Sequence, residues 1–535
     1  MSPVYNEPMQ RSPMPRVIVA ASTGTVFEFY DFLLYGSLAT FFGVLFFPPG
    51  NSTAALLASL ATFGAGFAVR PLGAVIFGRL GDRVGRKRTF LVTIVLMGLS
   101  TALVGALPTF GQIGWWAPAL LVTLRLIQGL ALGGEFGGAA LYVAEHSAPA
   151  RRGFFTSFIQ TTGSIGLLLS LGVILACRAV LGEEAFREWG WRIPFLLSVL
   201  LLGLSVYVRL QIAESPLFEE IKRRGELSAA PVRESLLAPA NRPRMLAALV
   251  VAAAMATSWY TAQFYSLVFL QTAVLVDATT AATILGAAVC AGLALFLAAG
   301  ALSDRFGRRP VMLSGMLLTA LAVMPAYRTM QDLGNPALAA AQRSAPLTVY
   351  AAPTRFDPFA GAASLDDATR VRDALAKRGI SYTNAPLERA PPTPGASAPA
   401  TVVVEFAGQR LAGFDKSALS AALDAAGYPT ASAVEPLQSV GDLGGLHFGL
   451  IGCVLVMILG AALTCGPGAG WLAELFPTRI RYTSLSVPYH LTSAWFGGFM
   501  PLTAAWLVAR SGDVLAGLWY PVVVMGLMFL LALRW

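Results

Sequence analysis

The chain is 535 residues long, 56% of them hydrophobic and only 13% charged, with a formal net charge of +9. A soluble domain is roughly 45–50% apolar and about 25% charged, so the composition excludes a soluble globular protein and points to an integral membrane protein. The basic residues cluster in short loops between apolar runs, the pattern of cytoplasmic loops rather than of a nucleic-acid surface, and no nucleic-acid partner is expected.

Residues up to Pro15 are polar and proline-rich and show no short apolar core with a small-residue cleavage site, so no signal peptide is expected. A span needs about 20 apolar residues. That rule predicts helices near 17–46, 54–78, 89–108, 115–145, 153–181 and 192–211, then near 245–271, 280–300, 311–327, 447–470, 484–509 and 513–533. The first is long and carries Glu28 and Asp31, which predicts a tilt or an interruption. Residues 1–211 then form one bundle, 212–244 a linker, 245–327 and 447–535 a second bundle, and 328–446 an insert within it. The linker, the stretch 79–88 and Arg151–Arg152 are basic, whereas 48–53, 109–114 and 272–279 hold no Lys or Arg. This asymmetry puts both termini and the linker in the cytoplasm of a multi-pass protein of the cytoplasmic (inner) membrane. The four cysteines and three histidines lack metal-ligand spacing, so neither a metal nor a disulfide framework is expected.

The stretch Gly78-Arg-Leu-Gly-Asp82-Arg-Val-Gly-Arg-Lys-Arg88 has a second copy, Gly300-Ala-Leu-Ser-Asp304-Arg-Phe-Gly-Arg308-Arg309. Both read G-x-L-x-D-R-x-G-R-[KR], and two copies between apolar helices imply a duplicated chain. The two glycines are offset by 222 residues, whereas Glu145, of Glu145-x5-Arg151, and Glu474, of Glu474-Leu-Phe-Pro-Thr-Arg479, are offset by 329. The difference of 107 residues matches the polar stretch 328–446, which carries ten basic and eleven acidic residues. Orientation puts this insert outside the cytoplasm. Within it 365–379 and 415–426 read as helices and 380–383 and 401–406 as strands, giving either a small α/β cap or a partly disordered loop.

The repeated motif resembles the signature loop of the major facilitator superfamily, found there between the second and third helices and again between the eighth and ninth. The resemblance implies an all-α membrane protein of twelve transmembrane helices, in two pseudo-symmetric six-helix bundles around a substrate path, with the loops gating it. Gly78, Asp82, Arg83, Gly85, Arg86, Glu145, Arg151, Asp304, Arg308, Glu474 and Arg479 are the expected gating residues, with Asp82 and Asp304 pairing with helix ends or arginines. Arg125-Leu-Ile-Gln-Gly129 through Gly134-Glu-Phe-Gly-Gly138, with Glu28-Phe-Tyr-Asp31 and Ala213-Glu-Ser-Pro216, looks like the metabolite:proton symporter family.

Glu28 and Asp31 share a helix face. A carboxylate within the membrane is costly unless paired or solvated, so these two, with Arg70, Arg125 and Glu135, are the expected proton-coupling and substrate residues. The alternative for the carboxylates is a structural ion pair, and Arg70, near the basic loop, reads somewhat more readily as structural. An ionised carboxylate is expected to neutralise Arg125 and to free it on protonation. Tyr30, Gln128, Tyr142, Gln160, Trp259, Tyr260, Gln263, Tyr265, Tyr489 and His490 are uncharged substrate candidates; each is also a plausible packing residue. The expected function is proton-driven import of a small organic acid or zwitterionic metabolite, with no enzymatic activity, no cofactor and a monomer in the bilayer. Export by antiport is disfavoured because helix five reads Gly163-Ser-Ile-Gly166 and lacks a Gly-Pro pair; a receptor built on the insert is disfavoured because the insert lacks cysteine, histidine and a phosphate loop.

Overall fold

The computed structural model describes residues 14–49, 51–84, 86–133, 136–211, 234–235, 238–352, 365–390, 401–437, 440–477 and 480–534. Backbone polar groups in lipid must bond within their own helix, and apolar residues around most of each helix leave only lipid or another helix as neighbour. Among the described residues eight helical stretches are long and apolar enough to cross a membrane. Glu183–Gly190 and Arg192–Tyr207 form one more, bent by 50°, and Leu91–Ala106, Trp116–Leu132 and Ala516–Ala532 are shorter apolar helices.

The first half runs through α1 (Met14–Ser37), α2 (Ala39–Phe46), α3 (Ser52–Ala68), α4 (Arg70–Val84), α5 (Arg86–Ala106), α6 (Trp116–Leu132), α7 (Phe136–His146), α8 (Arg152–Leu181), α9 (Arg192–Leu196) and α10 (Ser198–Gln211). The first expected span is interrupted at Leu38. The second half opens with α11 (Arg242–Trp259), a π turn (Tyr260–Tyr265) and α12 (Ser266–Thr272), followed by α13 (Ala278–Phe306) and α14 (Arg308–Gly334).

The repeated motif is not the open loop the sequence predicted. Its first half is the end of one helix and its second half the start of the next, so α13 and α14 are separated by Gly307 alone, at φ +93°, a conformation glycine adopts without cost. An apolar window ends where charge begins, but the helix does not.

The insert follows α14, which runs seven residues past its expected end at Tyr327. It comprises α15 (Pro336–Ser344), β1 (Leu347–Ala351), α16 (Asp367–Lys377), β2 (Tyr382–Ala385), β3 (Val402–Phe406), β4 (Gln409–Ala412) and α17 (Lys416–Ala425). The sheet order is β2-β1-β3-β4, with β1 and β2 parallel and the other pairs antiparallel. Val349, Leu375, Val402, Val404, Phe406 and Leu423 form a core of its own, separate from that of the membrane helices. The chain then returns through α18 (Gly445–Cys465), α19 (Gly468–Leu475), α20 (Arg481–Thr492), a π turn (Ser493–Gly498), α21 (Met500–Ser511) and α22 (Trp519–Ala532). The two halves meet along α8 and α13, and α14 packs along α18.

Candidate functional site

Two buried arginines set the electrostatics of the interior. Arg70 opens α4 and Arg125 lies on α6. The two are brought together by glycine: a Cβ on Gly129 would stand 1.7 Å from the carbonyl oxygen of Gly66, so α6 lies directly on the α3 backbone. Arg125 Nη1 donates to Gln128 Oε1 at 2.6 Å and to the Phe32 carbonyl at 3.3 Å, and Gln128 Nε2 donates on to Thr101 Oγ1 at 2.8 Å. Both guanidiniums lie over the ring of Phe32, Arg70 at 4.2 Å and Arg125 at 4.1 Å; Phe67 lies 3.6 Å from Arg70 and Tyr35 lies 4.6 Å from Arg125. A ring face returns about 0.5–2 kcal/mol to a cation, well short of the several kcal/mol lost by burying one. In each arginine Nε and Nη2 have no hydrogen-bond partner, and among the described residues no carboxylate lies within 4.0 Å of either.

The expected pairing of Arg125 with a helix-one carboxylate is therefore not formed. Asp31, buried, accepts a hydrogen bond from Ser198 Oγ at 2.5 Å on α10. The reason is the helix itself: successive residues point about 100° apart, so when Phe32 faces the arginines, Asp31 faces α10. Glu28 is buried one turn earlier.

Arg70 lines a cavity of about 40 Å³ between the two halves, room for on the order of three waters. Gln160, Trp259, Tyr260 and Tyr489 line it too, so five sequence candidates converge there from α4, α8, α11, the π turn that follows it, and α20. Gln160 Nε2 donates across the halves to the Cys465 carbonyl at 3.0 Å. Tyr260 and Ser493 each begin a π turn at the cavity wall. A π turn displaces the helical ladder and leaves a carbonyl needing a donor; the Tyr327 hydroxyl supplies one, donating to the Thr261 carbonyl at 2.7 Å. Phe29, Met255, Cys465 and Ser493 on the wall, and Tyr327 behind it, escaped sequence reasoning because their types are those of ordinary helix packing.

Other candidates are placed elsewhere. The Tyr30 hydroxyl donates to the Pro194 carbonyl at 2.6 Å, and Gln128 is consumed between Arg125 and Thr101. Tyr142 packs its ring 4.4 Å from that of His146. Gln263, Tyr265 and His490 are buried but do not border the cavity; the Gln263 amide and both His490 ring nitrogens lack partners. Glu135, Gly85 and Arg479 lie outside the described residues, as do the side chains of Asp82 and Arg83, beyond Gly78 on α4, and of Arg86, which opens α5.

At the face bearing the second motif copy, the halves are bolted together. Asp304 accepts from the backbone N–H groups of Gly153 and Phe154 at 2.8 Å each, the first amides of α8, and from Arg308 Nη1 at 2.5 Å. A Cβ on Gly300 would lie 2.6 Å from the Gly153 carbonyl, so here too backbone meets backbone. Glu474 lies 3.3 Å from Arg152 and 3.4 Å from Arg308, while Glu145 lies 3.7 Å from Arg481. Each repeated glutamate thus pairs with an arginine of the other half. Arg152 takes the place expected of Arg151, which is exposed.

A family model described as sugar (and other) transporter matches residues 17–238. The shikimate transporter of Escherichia coli (strain K12) is 40% identical over 330 residues, 59% of this chain and 72% of that one. The chain belongs to the major facilitator superfamily. Within the superfamily it falls among the metabolite:proton symporters; the proline/betaine transporter of Salmonella typhimurium is 34% identical over 319 residues, 58% of this chain and 64% of that one. The superfamily fold is matched by a D-xylose–proton symporter crystal structure at a TM-score of 0.59 and 15% identity, over 97% of each chain. As a member of the superfamily the chain is a multi-pass membrane transporter, a secondary carrier of small molecules, and not an enzyme.

Proposed function

We propose that this transporter is a proton-coupled symporter that imports a small carboxylate-bearing metabolite, an organic acid or a zwitterion, by alternating access. The observation that carries the reading is Arg70: a buried guanidinium on the wall of the cavity between the halves, whose Nε and Nη2 lack hydrogen-bond partners. A carboxylate is the ligand that completes such a group, through short charge-assisted bonds in a fork geometry. Shikimate, proline and betaine, the compounds in the relatives' names, share that group. Gln160, Trp259, Tyr260 and Tyr489 surround the remainder of the substrate.

The spans are read as twelve, in bundles 1–211 and 245–327 with 447–535, joined by the linker 212–244. The Asp304 face and both termini are cytoplasmic and the insert lies outside. Asp31 is the assigned proton-exchange group. It acts through its neighbour Phe32, whose ring faces both arginines and whose carbonyl accepts from Arg125, so remaking the Asp31–Ser198 bond shifts the segment of α1 on which the arginines rest.

The test is a thermal-shift screen of the purified protein against carboxylates, amino acids, betaines and neutral sugars, followed by uptake of the hits into vesicles with an imposed pH gradient. Stabilisation by carboxylates and pH-driven accumulation are expected. Stabilisation by neutral sugars alone, or uptake indifferent to the gradient, would remove the reading.

A further inference from the structure

The insert touches the rest of the protein in two unequal ways. Toward the second half its bonds are spread over several elements. Ala433 N–H donates to the Gly334 carbonyl at 3.0 Å, Leu437 N–H to Thr280 Oγ1 at 2.8 Å, and Tyr382 N–H to the Gly512 carbonyl at 2.9 Å. Val514 N–H donates back to Ser381 Oγ at 3.2 Å. These fix the insert to α14, α13 and the α21–α22 turn.

Toward the first half, the described hydrogen bonds converge on one side chain, Asp373 of α16. Its Oδ1 accepts from Ser52 Oγ at 2.6 Å, from Thr53 N–H at 3.0 Å and from Thr53 Oγ1 at 3.2 Å. Ser52 is the first residue of α3, so a buried carboxylate sits on the positive end of that helix and satisfies one of its orphan amides. Lys377 holds the other oxygen at 2.9 Å. The arrangement repeats that of Asp304 at the opposite face, where a second-half carboxylate is seated on the first amides of α8.

We infer that Asp373 is a latch: the insert travels with the second half, and its carboxylate on α3 holds the insert face shut, so breaking that contact is a step in opening toward that face. The inference rests on the alternating-access reading above. The membrane helices contribute single hydrogen bonds of their own there, from Thr40 Oγ1 to Gln271 Oε1 at 2.8 Å and from Arg178 Nη1 to Thr279 Oγ1 at 3.4 Å. A carboxylate holding three donors is the stronger restraint.

Cys465, buried on the cavity wall, is a built-in reporter of access. In full-length protein with Cys177, Cys290 and Cys453 changed to serine, an impermeant maleimide is applied to the insert face of sealed vesicles and the Cys465 labelling rate is measured. Asp373→Asn should raise that rate by about tenfold, the effect of losing a charge-assisted contact from a two-state closure. The pair Ser52→Ala with Thr53→Val, which removes the two hydroxyl donors from the other partner and leaves α16 intact, should raise it in the same direction and keeps the test valid if Asp373 variants fold poorly. Conversely, Ser52→Cys with Asp373→Cys, oxidised to a disulfide, should abolish labelling from that face until a reductant is added. Labelling rates equal to the parent in all these variants, or labelling that persists in the oxidised pair, would overturn the latch. If Cys465 is never labelled from the insert face, even in Thr40→Val, alternating access itself fails and the latch falls with it.

Discussion

At the scale of single residues, the site is organised by charges that do not cancel. Two guanidiniums share one phenylalanine ring, and the Asp31 carboxyl beside it on α1 is turned away to a serine. If Arg70 is the substrate anchor, Arg70→Ala should weaken ligand binding by about a hundredfold, the cost of losing a charge-assisted pair. Arg70→Lys should recover only part of it, because a point charge does not reproduce the fork; ligand-induced thermal shifts measure both. Asp31→Asn should keep substrate binding and exchange while losing uphill uptake driven by a pH gradient; retained accumulation would move the proton site elsewhere. The sequence made the inventory legible, since arginines and carboxylates inside apolar helices stand out on cost alone. It did not make the pairing legible. Arg125 and Asp31 carry opposite charges on helices that touch at Phe32, yet a difference of one residue on α1 decides that Phe32 rather than Asp31 meets the guanidinium. In the same way Tyr30 and Gln128 look like site residues until their partners, Pro194 and Thr101, are seen.

At the scale of elements, closure depends on backbones that touch. Gly129→Val should prevent folding, because its side chain would have to displace a carbonyl on α3 rather than a mobile side chain. Bolts at the Asp304 face should differ in strength by burial. Asp304, 10% exposed and bonded to two amides and an arginine, should matter more than Glu474, 33% exposed, since half-solvated pairs contribute only about 0–1 kcal/mol. Asp304→Asn should therefore speed labelling of Cys465 from the Asp304 face more than Glu474→Gln does, and equal effects would show that the ion pairs, not the helix-end contact, hold the face closed. Eight of the expected spans are matched, among the described residues, by helices long and apolar enough to cross a membrane, because about 20 apolar residues leave a mark in any sequence. The π turns were not, because Tyr260–Tyr265 and Ser493–Gly498 differ from an α-helix only in which carbonyl finds which donor, and the donor Tyr327 lies 62 residues beyond the last residue of the first turn, two helices away.

At the scale of the whole molecule, the second half closes both faces with one device, a carboxylate set on the start of a first-half helix: Asp304 on α8, from the duplicated motif, and Asp373 on α3, from the insert. The duplicated chain supplies the first, while the second comes from residues with no counterpart in the repeat. That predicts a division of labour which excision can measure. The insert has its own core, and the chain comes back to where it left, with Ala433 N–H and Ser432 Oγ both donating to the Gly334 carbonyl. Removing Pro336 through Gly444 and bridging Asn335 to Gly445 with a short flexible linker should therefore leave folded protein. Because Arg70, Asp31 and the Asp304 contacts all lie outside the excised segment, uptake of a hit from the ligand screen should persist. What should change is access: Cys465 should be labelled from the insert face as fast as in Asp373→Asn, since one carboxylate carries the insert's described hydrogen bonds to the first half. A much faster rate in the excised protein would mean that the insert also covers the entrance by bulk, and loss of uptake in well-folded excised protein would make it part of the transport path.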